Sequence, residues 1–259
     1  MVRRRAIPVE RYSQLAIWSQ RLALFSLPVV ALGILMSRLG LVETVAALGV
    51  FAAGVAVAAL AVLVALAALA AIWNDGYRGL GRAVAGLMIG LLVVVGPAAM
   101  AAFAYRLPAI HDVTTDLNEP PSIIAGAVAR SPDANPPNYP GPETAALQRA
   151  GYPDLKPLLK DWPPEQAFQA ARDAIEKRRW RVLDQVAPRP GRDGRIEAVV
   201  RTLVFGFRDD VVVRIRATAE GSRIDVRSAS RIGLHDLGAN ARRIKSLLAD
   251  IDEWQPPRR

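Results

Sequence analysis

The chain contains no cysteine, and its only histidines are His111 and His235. Without cysteine, disulfides, iron–sulfur clusters and thiolate zinc sites are excluded. A metal site built on histidine would need carboxylates beside it, and His111, Asp112 and Asp116 offer at most a partial set of ligands. Because nothing nearby in the sequence completes that set, we predict no metal site and no cofactor.

Charged residues are scarce in the N-terminal part of the chain. The first 105 residues hold eight arginines and three acidic residues, which gives +5 of the chain's formal charge of +9. The remaining residues therefore carry +4 and are only mildly basic. A nucleic-acid-binding domain usually gathers a stronger basic excess on one face, so we expect no nucleic-acid partner.

Three long runs before Arg106 contain no Asp, Glu, Lys, Arg or His. Crossing a bilayer takes roughly 20 apolar residues, and backbone groups find partners in lipid only when such runs are helical. We predict transmembrane helices at about 17–37, 45–73 and 83–105, within a membrane anchor at 1–106. Because transporters and channels usually need ionisable residues within the membrane, the uncharged runs argue against both classes.

Arginines in the flanking segments predict the orientation of this anchor. Five arginines precede the first run and two lie between the second and third. Between the first and second runs, the charges of Arg38 and Glu43 cancel. The positive-inside rule therefore places the N-terminus in the cytoplasm. Three crossings then place everything after Arg106 outside, as in a multi-pass inner (plasma) membrane protein with a periplasmic domain. The count depends on the first run, which is long enough only if Arg21 lies at the lipid interface.

The rest of the sequence divides into a tether and a folded domain. Residues 107–161 are crowded with proline and predict an extended, Pro-rich tether. Residues 162–259 predict an α+β domain, in which helices at 162–180 and about 236–253 flank four strands. The strands alternate apolar and polar residues with period two, which is typical of antiparallel hairpins with one buried face. Both helices are expected on the apolar face, and the other face is expected to present Arg214, Arg216, Arg223, Asp225 and Arg227.

Three segments in the part of the chain after the anchor have distinctive sequences. They are HDVTTDLNEPP at 111–121, TLVFGFRDDVVVRIR at 202–216 and DVRSASRIGLHDLGANARRI at 225–244. In these segments the chain resembles the domain-of-unknown-function family 1499, over roughly 105–254, and its three-span anchor resembles that of membrane-bound proteobacterial members. The family has no established activity, so the resemblance implies a fold and a setting and transfers no catalytic residue.

The densest polar cluster is the turn between the last strand and the last helix. Its candidate ligand-binding residues are Arg227, Ser228, Ser230, Arg231, His235, Asp236, Asn240 and Arg243. A hydroxyl, an imidazole and a carboxylate are the ingredients of nucleophilic catalysis, so His235 with Ser228 or Ser230 is the candidate catalytic centre. The alternatives are an anion site at the helix start and a structural turn, in which Asp236 caps the last helix.

A second candidate site is the basic sheet face formed by Arg214, Arg216 and Arg223. Outside the membrane these side chains could bind lipid phosphates or anionic envelope polymers. The alternative is that they pair with carboxylates on neighbouring strands and are solvated.

These observations favour a membrane-anchored protein whose extracytoplasmic α+β module binds an anionic envelope component, lipid or polymer, or a partner protein in the membrane. One alternative is an envelope hydrolase centred on His235, and another is an accessory subunit of a membrane complex. The prediction leans away from an enzyme, because His235 and Asp236 are sequence neighbours. A carboxylate at a helix start rarely orients the imidazole beside it towards a serine.

Reporter fusions test the predicted orientation. Alkaline phosphatase, which is active only outside the cytoplasm, should be active when it is fused behind Arg106. The same reporter inserted in the short loop at 74–82 should be inactive, because the positive-inside rule assigns that loop to the cytoplasm. The predicted topology is wrong if alkaline phosphatase is inactive behind Arg106 and a reporter that works only in the cytoplasm is active there.

Overall fold

A computed structural model describes residues 11–256 of the chain. It has two compact units, which meet in the sequence between Ala102 and Phe103. The first unit holds three helices that are long and apolar enough to cross a membrane, as predicted. They are α1 (Gln14–Leu39), α2 (Thr44–Asp75) and α3 (Leu80–Ala104).

The first helix is longer than the sequence pattern indicated. It includes Arg21 and has 26 residues, which rise about 39 Å at 1.5 Å per residue, beyond the ~30 Å of a bilayer's hydrocarbon core. Its N-terminus is capped by the Ser13 hydroxyl, which accepts a hydrogen bond from the backbone N–H of Ala16. Length is therefore no obstacle to a crossing by α1.

Only glycine, alanine and serine occupy the buried positions of α1, α2 and α3. A β-carbon added at Gly86 would lie 2.8 Å from the backbone carbonyl carbon of Ser19, and one at Gly90 would lie 3.0 Å from the carbonyl oxygen of Ala58. Lipid offers no hydrophobic drive for helix association, so close backbone contact between small residues provides it. The Gly86–Gly90 pair thus packs within the chain, against α1 and α2.

The second unit contains a six-stranded sheet and has the predicted α+β composition. Its elements are β1 (Asp112–Thr114), α4 (Ala125–Val128), α5 (Pro142–Gly151), β2 (Leu158–Lys160), α6 (Pro164–Lys177), β3 (Arg181–Val186), β4 (Gly194–Arg201), β5 (Arg208–Thr218), β6 (Gly221–Ser230) and α7 (Ala239–Asp252). The strand order is β1-β6-β5-β4-β3, with β2 also paired to β6, and every pairing is antiparallel.

The expected four strands are thus corrected to six, and both additional strands lie in 107–161, where we expected a tether. Each has three residues, too few to show a period-two pattern, and they pair with the two halves of β6. Prolines do not prevent order here; Pro142 opens α5, where a first turn tolerates it. The buried Gln148 of α5 completes the outer edge of β1, since its amide accepts from Thr114 N and donates to Thr114 O.

One face of the sheet is apolar and carries the two amphipathic helices, as predicted. Alternate residues of β4, β5 and β6 point into this core, where they meet Ile175 of α6 and Ile244 of α7. Helix α7 starts at Ala239, three residues later than expected, because Gly238 holds a left-handed conformation just before it. The apolar periodicity therefore determines which sheet face the helices cover.

The other sheet face is covered as well, where we expected it to be open. Residues 115–141, the cover segment, lie across it and bond to its charged side chains. Glu197, 1% exposed, accepts the backbone N–H groups of Ile124 and Gly126. Arg227, 2% exposed, forms a two-bond ion pair with Asp112 at 2.7 and 3.0 Å and also donates to two carbonyls of the cover segment.

Replacing Asp112 with Asn should destabilise the second unit strongly. The change leaves the Arg227 guanidinium buried without its counter-charge, a situation that costs about 3–5 kcal/mol in other proteins. The control is Asp154→Asn, which removes the exposed partner of Lys245 and should change little. Urea unfolding of the full-length protein in detergent, followed by tryptophan fluorescence, measures both; equal effects would contradict the dependence on the buried pair.

Candidate functional site

The predicted polar turn is a closed hydrogen-bond network. The Ser228 hydroxyl donates to Asn240 Oδ1 at 2.7 Å and accepts from Arg243 at 2.8 Å, and the Asn240 amide donates to the Ser230 hydroxyl at 3.0 Å. Arg243 also pairs with Asp209 at the start of β5. Ser228 and Asn240 are fully buried. The network therefore fixes the start of α7 on the sheet.

His235 is held by the backbone on both sides of its ring. Its Nδ1 accepts the N–H of Leu237 at 2.9 Å, and its Nε2 lies 3.1 Å from the carbonyl oxygen of Ala104. Within the described residues, no hydrogen bond joins this imidazole to Ser228 or Ser230. The three candidate catalytic residues are close in sequence, but they are not joined in the arrangement that nucleophilic catalysis requires.

Asp236 binds backbone N–H groups at the start of the last helix. Its carboxylate accepts from Gly238 at 2.7 Å and from Asn240 at 2.9 Å. This is the capping role of the structural alternative. The remaining two candidates, Arg227 and Arg231, are buried and paired; Arg231 forms bonds of 2.6 and 3.1 Å to the two carboxylate oxygens of Asp210.

His111, Asp112 and Asp116 do not gather into a metal site in the part of the chain that the structure describes. Asp112 points to Arg227, and Asp116 points to the arginines of β5 and β6. Burial raises the pKa of Asp112 in spite of Arg227, and burial lowers the pKa of His111.

The predicted basic face forms a compact charge cluster. Arg214, Arg216 and Arg223 all lie within 2.7–3.0 Å of Asp116 Oδ2, and all three also contact Asp225. Burial alone would raise the pKa of Asp116, but the N–H groups of Glu119 and Asn118 and the Arg216 guanidinium lower it below its ordinary value. The cluster is therefore largely neutralised by the molecule's own carboxylates, and ligand binding by it stays a prediction.

A different set of arginines lines a cavity of about 360 Å³ at one end of the sheet. We call this cavity the arginine groove; its exposed arginines are Arg179, Arg181, Arg201 and Arg208. Trp180, Leu183 and Val199 form its apolar wall. Among the described residues, no carboxylate pairs with these four arginines, whereas Arg178 and Arg231, at the margin, are paired with Asp250 and Asp210.

Sheet register brings the groove's positive charges together. Arg201 and Arg208 are directly opposite each other on β4 and β5, and Arg181 on β3 is paired with Val199, two residues before Arg201. Like charges in opposed positions destabilise a sheet. Burial and the positive charges of Arg201, Arg231 and Arg181 lower the pKa of Arg208. A bound anion would relieve this repulsion, and guanidinium groups match phosphate and carboxylate geometry well.

Sequence reasoning missed the arginine groove, although one signal was available. Arg201 and Arg208 flank a short apolar hairpin, and hairpin pairing places its flanking residues opposite each other. The contribution of Arg179 and Arg181 could not be found in this way, because it depends on β3 pairing along β4.

Replacing Asp116 with Asn should weaken the second unit at neutral pH by about 2 kcal/mol, the scale of a lost hydrogen bond between charged groups. A lowered carboxyl pKa contributes stability above the ordinary value of about 3.9 and loses it as the pH falls further. The difference between wild type and variant should therefore shrink below that pH. Asp133→Asn, an exposed change in the same segment, is the control; a pH-independent difference would contradict the assignment.

A known protein family matches most of the second unit. The family described as "Protein of unknown function (DUF1499)" matches residues 112–251, which include every strand of the sheet and almost all of α7. No curated protein and no solved structure matches the chain. The match begins at the first residue of β1, so it includes most of the segment 107–161 that we expected to be a tether. The chain belongs to the DUF1499 family and adds to that domain three helices able to cross a membrane.

Proposed function

We propose that this is a membrane-anchored protein whose α+β module binds an anionic group, a phosphate or a carboxylate, in the arginine groove. The observation that supports this most directly is the set of exposed arginines without carboxylate partners among the described residues. Elsewhere on the same sheet face, arginines are paired with aspartates or glutamates. A cluster of positive charges without carboxylate partners in the protein is suited to bind an anionic ligand.

The groove's chemistry favours a ligand that is anionic and partly apolar. Trp180 offers an aromatic surface beside the arginines, and the guanidinium of Arg178 lies 5.4 Å from its ring centroid. Several guanidinium groups at one site can bind two or three oxygens of one anion in a bidentate manner. A phosphorylated or carboxylated envelope component, or a partner protein with an acidic segment, fits these requirements.

The proposed location is the extracytoplasmic side of the inner membrane. The distribution of arginines around the three membrane helices supports it through the positive-inside rule. The hydrolase alternative receives no support from the geometry, because His235 is bonded to backbone groups and the two serines are bonded to Asn240. Binding, and not catalysis, is the activity proposed for the module.

The double variant Arg201→Gln/Arg208→Gln should lose affinity for inorganic pyrophosphate, the soluble probe. Charge-assisted hydrogen bonds contribute about 1.5–3 kcal/mol each, so we expect at least a tenfold weakening. Calorimetry on the full-length protein in a neutral detergent measures the affinity.

The matched control is Arg189→Gln/Arg192→Gln, which removes the same charge from the exposed turn between β3 and β4. This control should retain wild-type affinity, and added salt should weaken binding by the wild type. Equal losses in both double variants, or no binding by the wild type, would contradict the proposed site.

A further inference from the structure

The hairpin between β4 and β5, residues 202–207, has an exposed apolar tip. Leu203 is 87% exposed and Val204 50% exposed, and the rings of Phe205 and Phe207 stack with centroids 5.1 Å apart. Gly206, with a φ of +70°, allows the tight reversal. Clustered apolar side chains at a loop tip are unfavourable in water and mark an interaction site when they are rimmed by polar residues.

The opposite end of the sheet provides an internal contrast. There the hairpin between β5 and β6 has the tip Ala219–Glu220, without a large apolar side chain. Both tips are solvent-exposed turns of the same sheet. The hairpin tip at 202–207 is therefore the more apolar of the two tips, although Leu159 of β2, 68% exposed, lies beside the other one.

The apolar tip lies at the end of the sheet where the chain enters the second unit. Ser230 donates its N–H to the carbonyl of His111 at 2.8 Å, and Arg231 donates to the carbonyl of Arg208 at 3.1 Å. His111, the end of β6 and the start of β5 therefore share one end. Only residues 105–111 separate α3 from β1, a segment that reaches about 25 Å at most.

A second exposed apolar residue lies at this same end. Leu234, 78% exposed, belongs to the turn after β6, and the N–H of Asp236 in that turn donates to the carbonyl of Ile110 at 3.0 Å. The chain segment that leaves the membrane anchor thus lies beside an apolar turn, an apolar hairpin tip and the arginine groove.

We propose that this end of the sheet docks on the anionic bilayer that holds the protein's own membrane helices. Leu203 and Val204 insert at the headgroup boundary, while Arg181, Arg201 and Arg208 bind lipid phosphates beside them. Amphipathic insertion of this kind combines buried apolar area with attraction to anionic lipids. The inference rests on the proposed function and names the lipid headgroup as the anion.

The absence of native cysteine makes a direct test straightforward. Leu203→Cys carries an environment-sensitive fluorophore, and the full-length protein is reconstituted into phosphatidylcholine vesicles that contain phosphatidylglycerol and lipids spin-labelled on their acyl chains. The matched control is the same label on Ala219→Cys at the opposite tip. We expect strong quenching by the spin-labelled lipids at position 203 and several-fold weaker quenching at position 219.

A charge arm tests the arginines. Adding Arg201→Gln/Arg208→Gln to Leu203→Cys should reduce the lipid quenching by half or more, whereas adding Arg189→Gln/Arg192→Gln should not. Vesicles of phosphatidylcholine alone should give weaker quenching than vesicles that contain phosphatidylglycerol. If the quenching changes neither with the arginine substitutions nor with the lipid charge, the proposed role of the arginines is wrong.

Other results would overturn the lipid assignment itself. A label at position 203 that is quenched by aqueous iodide and not by lipid lies in water, and one quenched by neither lies against a partner protein or a second copy. If the labelled Leu203→Cys protein gives one of these results and still binds pyrophosphate, only the lipid inference fails. If pyrophosphate binding is also absent in the wild type, the proposed function fails with it.

Discussion

A buried charge is tolerated only with a partner, and this requirement organises the second unit. Its sheet has one apolar face, which two helices cover, and one charged face, which the cover segment covers except at the arginine groove. Arg227 with Asp112, and Arg231 with Asp210, are charges taken out of water and paired at close range. Each ion brings a desolvation penalty of several kcal/mol that only close contacts can offset. Residues 115–141 take part in this pairing through Asp116, which binds Arg214, and Arg130, which binds Asp210.

The same requirement explains where a binding site can lie. Asp116, Asp225 and Glu119 together balance the charges of Arg214, Arg216 and Arg223, so that region of the sheet has little positive charge left for an outside ligand. At the sheet end formed by Arg201 and Arg208, the described part of the chain brings no carboxylate to the arginines. The proposed site is thus distinguished by arginines that the fold gathers in one cavity without carboxylate partners, and not by the number of arginines.

Each unit relies on a different force. The membrane helices bury only small side chains, because in lipid close backbone contact replaces the hydrophobic effect. The second unit buries isoleucine, valine and leucine between sheet and helices, as water-exposed domains do. The hairpin tip at Leu203 fits neither environment alone, since it exposes large apolar side chains to water in a unit that buries most of its others in the core. An interface between water and lipid accommodates such a tip beside arginines.

The sequence by itself determined the three apolar helices, the amphipathic helices α6 and α7, the long strands β4, β5 and β6, and the family. Those signals are local, because hydrophobic periodicity is written in neighbouring residues. It did not reveal the three-residue strands β1 and β2, whose order comes from pairing with β6. Only the tertiary structure decided which arginines are neutralised. Asp112 and Arg227 are 115 residues apart in the chain, and no local pattern specifies a contact across that distance.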